Sequence, residues 1–138
     1  MKVKDAMHKG AAFVAPEAKI IDCALQMKTL DVGALPVKSD GQILGILTDR
    51  DIAIRAVAAG RDPAKTTAKD LMSKNTQTCS ADDELDRAIQ IMKTNQVRRL
   101  PVADASGALV GMLSLGDICT ASNAQASHTV LQAVAAHH

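Results

Sequence analysis

The chain is 138 residues long, with 47% hydrophobic and 22% charged residues and a formal net charge of +1. This length suits one compact domain or two small ones that share a core, and the composition is typical of a globular protein. The near-neutral charge argues against nucleic acids and anionic membranes as partners, because proteins that bind them normally carry a basic excess. Phe13 is the only aromatic residue, which also disfavours base stacking on single-stranded nucleic acid.

Cysteine usage and the N-terminal residues predict a cytoplasmic protein. The three cysteines are odd in number and far apart, so neither a disulfide framework nor a Cys-x-x-Cys metal site is indicated. The first residues lead into no secretory apolar segment. The longest apolar stretches, such as Ile43–Leu47, are too short to span a bilayer. We therefore expect neither a membrane partner nor a metal.

The sequence is a tandem duplication. Three blocks recur at an offset of 65 residues, namely Lys4-Asp5-x-Met7 as Lys69-Asp70-x-Met72, Met27-Lys28-Thr29 as Met92-Lys93-Thr94, and Leu35-Pro36-Val37 as Leu100-Pro101-Val102. Later blocks match at an offset of 66, which indicates one residue inserted in the turn over residues 103–107. Chance does not hold such a register through separate blocks.

Each copy predicts the element order β-α-β-β-α. In the first copy, a short strand at Ala12–Ala15 precedes an amphipathic helix, two strands at Leu35–Lys38 and Gln42–Leu47, and a closing helix from Thr48. The second copy repeats this order with strands at 76–79, 100–103 and 108–113 and a closing helix from Ser114. The apolar faces of the two amphipathic helices comprise Ile20, Cys23, Ala24, Met27 and Leu30 in the first and Leu85, Ala88, Ile89 and Met92 in the second.

The predicted organisation is a first repeat over residues 1–60, a linker over 61–67, a second repeat over 68–122 and a tail over 123–138 with a short helix. Apolar residues of the tail either dock on the chain itself or cover a dimer interface. A unit of roughly 60 residues struggles to bury a sufficient core alone. We therefore expect a mixed α+β fold in which the two repeats pack about a pseudo-two-fold axis and leave two related clefts between them.

A second repeated motif ends the third strand of each copy, where a glycine, two apolar residues and a hydroxyl residue are followed three positions later by an aspartate. It runs from Gly45 to Asp51 and from Gly111 to Asp117. A hydroxyl at a helix N-terminus and a carboxylate one turn later suit the phosphate and the ribose diol of a nucleotide. The same spacing fits a capping box, and the two interpretations coexist only in part because an aspartate committed to its own helix has less capacity for ribose.

Together these motifs resemble a tandem pair of cystathionine β-synthase (CBS) domains, also called a Bateman module, over about Val3 to Ser122. The chain further resembles small stand-alone bacterial CBS-pair proteins through Val32-Gly33-Ala34-Leu35-Pro36 and Thr48-Asp49-Arg50-Asp51-Ile52. The resemblance implies that adenosyl ligands bind in the interdomain clefts. The ligands in question are AMP, ADP, ATP, and in some members NAD or S-adenosylmethionine.

The resemblance also implies roles for individual residues. It places Asp51 and Asp117 at the ribose, and Thr48 and Ser114 beside the ribose or phosphate. Arg98 and Arg99 match a position that meets phosphates, with a solvated strand edge or an intersubunit salt bridge as the alternative. Arg50 is a further phosphate candidate, with pairing to Asp49 or Asp51 or exposure to solvent as the alternative. The adenine candidates, each equally explained as a core residue, are Phe13, Val14, Leu35, Thr78 and Leu100.

The two copies differ where a phosphate would lie. The first has Gly33-Ala34 where the second has Arg98-Arg99. The two clefts are therefore expected to differ in their affinity for phosphate.

The residues indicate no activated nucleophile, no paired carboxylates and no metal cluster, so we expect neither catalysis nor a catalytic cofactor. The favoured function is that of a regulatory sensor whose ligand is an adenine nucleotide. The alternative is a ligand-free interaction or scaffold module that keeps the fold. The resemblance implies a homodimer and an unidentified downstream protein, without indicating a parallel or an antiparallel dimer.

Overall fold

The computed structural model describes residues 1–74 and 77–121. The expected tail helix and the first residue of the expected strand over 76–79 lie outside the described residues. Within them the fold is a mixture of short sheets and helices, and the predicted α+β class is confirmed. The elements in chain order are α1 (Val3–Ala6), β1 (His8–Lys9), α2 (Ile20–Leu30), β2 (Ala34–Ser39), β3 (Gln42–Thr48), α3 (Asp49–Asp51), a π-helix (Ile52–Val57), α4 (Ala68–Leu71), β4 (Cys79–Ser80), α5 (Leu85–Asn95), β5 (Arg99–Ala103), β6 (Leu109–Ser114) and α6 (Leu115–Ala121).

The chain forms two compact units that do not coincide with the two sequence repeats. The first-repeat unit spans Ala12–Thr76, and the second-repeat unit combines Met1–Ala11 with the chain from Gln77 onward. Each unit therefore contains the body of one repeat and the leading segment of the other. The boundaries of the two sequence repeats therefore stay a prediction. The compact units have other boundaries, because each leading segment packs with the body of the other repeat.

The first-repeat unit is built on a hairpin of β2 and β3. The antiparallel ladder ends at the pair Ser39 and Gln42, and the turn residues Asp40 and Gly41 have φ values of 51° and 76°. Such left-handed pairs are typical of type I′ turns, whose twist matches that of the strands. The expected strand at Ala12–Ala15 is reduced to one bridge between Val14 and Val37.

Helix α2 confirms the predicted periodicity in part. Ile20, Cys23 and Met27 are buried in the core, but Ala24 and Leu30 are exposed. Assigning these last two to the buried face was wrong. Leu30 is the last residue of the helix, where the left-handed Asp31 (φ 55°) turns the chain away.

The second-repeat unit has a four-stranded sheet in the order β1-β6-β5-β4, in which β4 and β5 are parallel and the other pairs antiparallel. Helix α5 packs on it through the four apolar residues expected from the sequence, Leu85, Ala88, Ile89 and Met92, all of which are buried. Burial raises the pKa of the Cys79 thiol to about 12, and the nearby Asp83 carboxylate adds to the effect.

The repeated Lys-Asp-x-Met motif begins a short helix in each leading segment. The Asp5 carboxylate accepts a hydrogen bond from the Lys2 amide (2.9 Å), and the Asp70 carboxylate accepts one from the Thr67 amide (3.0 Å). Bonding to the Thr67 amide, supported by the Thr67 hydroxyl, holds the pKa of Asp70 below its usual value. The aspartates of this motif thus stabilise helix starts.

Glycines of the third strand of each repeat allow the leading segment of the other repeat to approach. A Cβ atom at Gly45 would collide with the Ser73 carbonyl oxygen, and one at Gly111 with the His8 carbonyl oxygen. Around Gly45, Ile46 and Ser73 exchange two backbone hydrogen bonds of 2.9 Å. The close neighbour that these glycines admit is therefore backbone.

We expect Gly45→Ala and Gly111→Ala each to lower the free energy of unfolding by about 1–3 kcal/mol, because the added methyl group must displace a hydrogen-bonded backbone. Urea unfolding followed by circular dichroism measures the change. The control is Gly116→Ala, where the nearest atom, Ser114 Oγ, would lie 3.6 Å from the new Cβ and a helical alanine is favourable. Equal stability of all three variants would contradict the packing described for these strands.

We further expect Cys79 to resist alkylation by iodoacetamide at pH 8 in the folded protein, since the thiolate is the reactive form and burial suppresses it. Mass spectrometry should show modification at least about 100-fold slower than in urea. The half-buried Cys119 provides the internal comparison and should react first. Similar rates for Cys79 in folded and unfolded protein would show that its surroundings are open.

Candidate ligand-binding sites

The first candidate site lies where β3 ends and α3 begins. The Thr48 amide donates to Asp51 Oδ2 (2.9 Å), and the Asp51 amide donates to Thr48 Oγ1 (3.1 Å). This reciprocal pair is a capping box, which satisfies two backbone donors that the helix leaves unpaired.

The second candidate site repeats this geometry where β6 ends and α6 begins. The Ser114 amide donates to Asp117 Oδ2 (2.9 Å), and the Asp117 amide donates to Ser114 Oγ (3.0 Å). In both sites the box uses Oδ2, and Oδ1, which we call the outer oxygen, takes no part in the cap. Each hydroxyl accepts a hydrogen bond but keeps its own proton to donate. The capping role therefore does not exhaust either side chain.

The outer oxygen of Asp51 lies near a cation from the next helical turn. Arg55 Nε is 3.8 Å from Asp51 Oδ1, and Arg55 Nη1 donates to the Leu71 carbonyl at 3.1 Å. The Asp51 side chain is 12% exposed, whereas that of Arg55 is 52% exposed. Arg55 was missed in the sequence, although its spacing of four residues from Asp51 was a detectable signal for such a pair.

The outer oxygen of Asp117 has a different neighbour. His8 Nδ1 lies 3.1 Å from Asp117 Oδ1, with side-chain exposures of 72% for His8 and 16% for Asp117. Strand β1 brings His8 there by pairing with β6, with His8 opposite Met112. Sequence reasoning missed this residue because the contact joins segments 109 positions apart. Its place directly after the repeated motif ending in Met7 was the available clue.

The arginines Arg98 and Arg99 flank the second site only. Arg99 pairs with Ser114 across the β5–β6 ladder, and the Arg98 carbonyl accepts a hydrogen bond from the Leu115 amide. The first site has the same backbone arrangement without these two cations. Ala34 pairs with Thr48, and the Gly33 carbonyl accepts from the Asp49 amide.

The third phosphate candidate, Arg50, is an exposed residue beside the first site. Its amide donates to Asp49 Oδ1 at 2.8 Å. The second site has the uncharged Leu115-Gly116 at the corresponding positions.

The adenine candidates divide into buried and accessible side chains. Phe13 is 42% exposed with Lys38 Nζ 5.1 Å from its ring centroid, and Thr78 is also exposed. Val14, Leu35 and Leu100 are buried and pack in the hydrophobic cores of their units. Among these five candidates, only Phe13 and Thr78 therefore have side chains that are accessible from the solvent.

Residues 1–74 and 77–121 hold neither a metal-binding cluster nor a membrane-spanning helix. No group of three metal-ligating side chains occurs in these ranges. None of the helices in them is long and apolar enough to cross a membrane.

Comparison with known proteins identifies the repeated unit. The sequence profile of the CBS domain matches residues 3–57 and again residues 68–124. The chain belongs to the CBS-domain family. The resemblance read from the sequence motifs is thereby confirmed, with one CBS domain for each repeat.

Relatives of similar size share this pair of CBS domains. The CBS domain-containing protein YhcV of Bacillus subtilis (strain 168) is 42% identical over 116 residues, which cover 84% of this chain and 81% of the relative. The crystal structure of Hypoxic Response Protein I with two coordinated zinc ions aligns with a TM-score of 0.73 at 33% identity, covering 89% of this chain and all of that one. These similarities extend over most of each protein.

A ligand complex is found among the similar structures. The CBS domain pair of protein MJ0100 in complex with 5′-methylthioadenosine and S-adenosyl-L-methionine aligns with a TM-score of 0.69 at 26% identity. The alignment covers 87% of this chain and 94% of that one. A CBS pair with this fold thus binds adenosyl compounds in that protein.

Proposed function

We propose that this CBS pair is a regulatory sensor that binds an adenosyl ligand at one or both of its strand–helix junctions. The observation that carries the proposal is the split use of each aspartate, whose Oδ2 caps the helix while the outer oxygen Oδ1 takes no part in the cap and lies near Arg55 or His8. This outer oxygen accepts a hydrogen bond from a ribose hydroxyl. Thr48 and Ser114 donate their hydroxyl protons to ribose or phosphate oxygen.

The unequal charges of the two sites favour different ligands. In the second site, Arg98 and Arg99 bind phosphate oxygens through charge-assisted hydrogen bonds. The first site has Gly33 and Ala34 at the positions of these two arginines. The second site therefore takes phosphorylated nucleotides such as AMP, ADP or ATP, and the first takes adenosyl ligands with fewer phosphates.

The adenine ring lies against the first strand of each repeat and the Leu-Pro-Val strand. Phe13 and Thr78 occupy equivalent positions in the two copies and contact it directly, while Val14, Leu35 and Leu100 support the surface beneath. The nucleotide is a regulatory ligand, and no catalytic cofactor takes part. The protein acts in the cytoplasm as a homodimer whose liganded state is recognised by a downstream protein.

A ligand-free scaffold is the second candidate function, and one observation favours it. Both aspartates already have partners for both oxygens, through the capping amides and through Arg55 or His8. A module kept only for its fold would need nothing more from these residues. Ligand binding and loss of stability in the aspartate variants distinguish the two functions.

The first test is thermal unfolding with AMP, ATP, NAD and S-adenosylmethionine. A ligand at 100 times its dissociation constant should stabilise the protein by about 2.7 kcal/mol, which raises Tm by several degrees. Asp117→Asn and Asp51→Asn keep an oxygen to accept from the capping amide but lose the outer carboxylate charge. Each should abolish the shift that is due to its own site while leaving the Tm of the unliganded protein within a few degrees.

The control for these variants is Asp70→Asn, which alters a helix start outside both candidate sites. It should leave every ligand-induced shift unchanged. If none of the four ligands raises the Tm of the wild type, the scaffold function is favoured. Asp51 and Asp117 variants that lose stability but bind ligand with unchanged affinity would assign the motif to capping alone.

The second test addresses charge. We expect Arg98→Ala and Arg99→Ala together to weaken ATP binding by at least about 100-fold, because each Arg–phosphate hydrogen bond is worth about 1.5–3 kcal/mol and two are removed. Adenosine, which lacks phosphate, should bind the variant as tightly as the wild type. Isothermal titration with both ligands provides the comparison. Equal losses for ATP and adenosine would mean that the arginines support the fold of the site and not the phosphate.

A further inference from the structure

The outer oxygens of the two aspartates have partners of different chemistry. Asp117 Oδ1 lies 3.1 Å from His8 Nδ1, and Asp51 Oδ1 lies 3.8 Å from Arg55 Nε. A guanidinium keeps its positive charge throughout the neutral range, whereas an imidazole gains or loses a proton between about pH 5 and pH 8. The charge beside the outer oxygen is therefore fixed in the first site and changes with pH in the second.

The two repeats differ at both partner positions. The first repeat has Ser73 at the position of His8, and the second repeat has Ala121 at the position of Arg55. Each site therefore has one of these two side chains and lacks the other. Since the capping boxes are the same in both sites, this difference concerns the outer oxygen and not the cap.

Backbone contacts within the second-repeat unit hold His8 beside Asp117. Strand β1 pairs with β6, with His8 opposite Met112, and just beyond the strand the Gly10 amide donates to the Val110 carbonyl at 2.9 Å. The side chain of His8 is nevertheless 72% exposed. The imidazole ring can therefore turn away from Asp117 while the backbone of the strand stays in place.

The charged group in contact with His8 is Asp117. Two elements pack beside His8, of which β6 has only uncharged residues and α6 has Asp117 as its one charged residue. On β1 itself, Lys9 follows His8 and projects to the opposite face, because side chains alternate along a strand.

The charged residues of the next elements have other partners or positions. In α1, Lys4 Nζ lies 3.4 Å from the Asp82 carboxylate, and the Asp5 carboxylate bonds to the start of its own helix. Strand β5, which begins at Arg99 directly after Arg98, lies on the other side of β6 from β1. We therefore assign the effect of a proton on His8 to its contact with Asp117.

We propose that protonation of His8 controls ligand binding at the second site, because the protonated imidazole holds the outer oxygen of Asp117 against a ribose hydroxyl. This inference rests on the proposed function and adds its regulation by pH. An imidazolium and a carboxylate form a charge-assisted hydrogen bond, which is stronger than the bond from a neutral imidazole. A ribose hydroxyl is a neutral donor, so it replaces the neutral imidazole more readily than the charged one. The Asp117 side chain is only 16% exposed, which limits the access of a second donor to the same oxygen.

The two sites consequently respond differently to acid. The second site loses affinity for an adenosyl ligand as His8 gains its proton, whereas the first site keeps its affinity because Arg55 is charged throughout. By linkage, ligand binding at the second site in turn favours the release of the proton from His8.

The test measures adenosine binding at each site by isothermal titration calorimetry at about pH 8 and pH 5.5, on either side of an imidazole titration. Adenosine lacks a phosphate, so its own charge stays constant over this range. In Asp51→Asn, which retains the second site, the dissociation constant should rise about fivefold at the lower pH, as expected for an ion pair worth about 1 kcal/mol. In Asp117→Asn, which retains the first site, the dissociation constant should be the same at both pH values.

Two further variants assign the pH response to His8. His8→Ser introduces the residue of the first repeat, and His8→Gln keeps a neutral donor; each, combined with Asp51→Asn, should remove the pH dependence. Far-ultraviolet circular dichroism at both pH values checks the fold. An equal pH response in the His8 variants, or no response while His8 is present, would overturn the inference and leave the proposed function intact. A protein that binds no adenosine at either pH would overturn both together.

Discussion

The structure depends on a backbone contact that only glycine permits. Gly45 and Gly111 let the leading segment of the opposite repeat lie directly against a third strand, where any larger residue would collide with a carbonyl oxygen. The leading segments also complete the cores, because Val3 packs in the cluster of the second-repeat unit and Leu71 in that of the first. Neither repeat therefore has its full core without residues from the other. For units of about 60 residues, which bury a small fraction of their surface, these added core residues are a substantial part of the stabilisation.

The same contact makes the two sites different. Both junctions have the same capping box, so the position of each aspartate is set by backbone bonding and is equal in the two copies. The outer oxygen is where they diverge. Strand β1 carries His8 to Asp117, whereas the equivalent leading segment has Ser73 and the neighbour of Asp51 is Arg55. A fixed framework with variable outer partners lets one duplicated fold hold two sites of different charge.

Local patterns predicted the local structure, and contacts between distant segments escaped prediction. The periodicity of apolar residues predicted α2 and α5, and the turn residues predicted both hairpins. These elements depend on residues within a few positions of one another. The exchange of leading segments between the repeats produces no pattern in neighbouring residues. The boundaries of the two compact units and the contact of His8 with Asp117 were therefore not predicted. The repeated aspartate motif was recognised with both of its interpretations. The sequence does not reveal that the cap uses Oδ2 of Asp117 while Oδ1 lies beside His8.

The contact between His8 and Asp117 also suggests how an occupied site changes the protein. A ribose hydroxyl that bonds Asp117 Oδ1 competes with His8 Nδ1 for the same oxygen. His8 lies on a strand of only two residues, which β6 holds through the backbone at Gly111 and Met112. The chain continues from this strand through Gly10 and Ala11 to Ala12, where the first-repeat unit begins. In the proposed function, a ligand that displaces His8 would act on this leading segment, because a ligand shifts a conformational equilibrium only through its differential contacts with the two states.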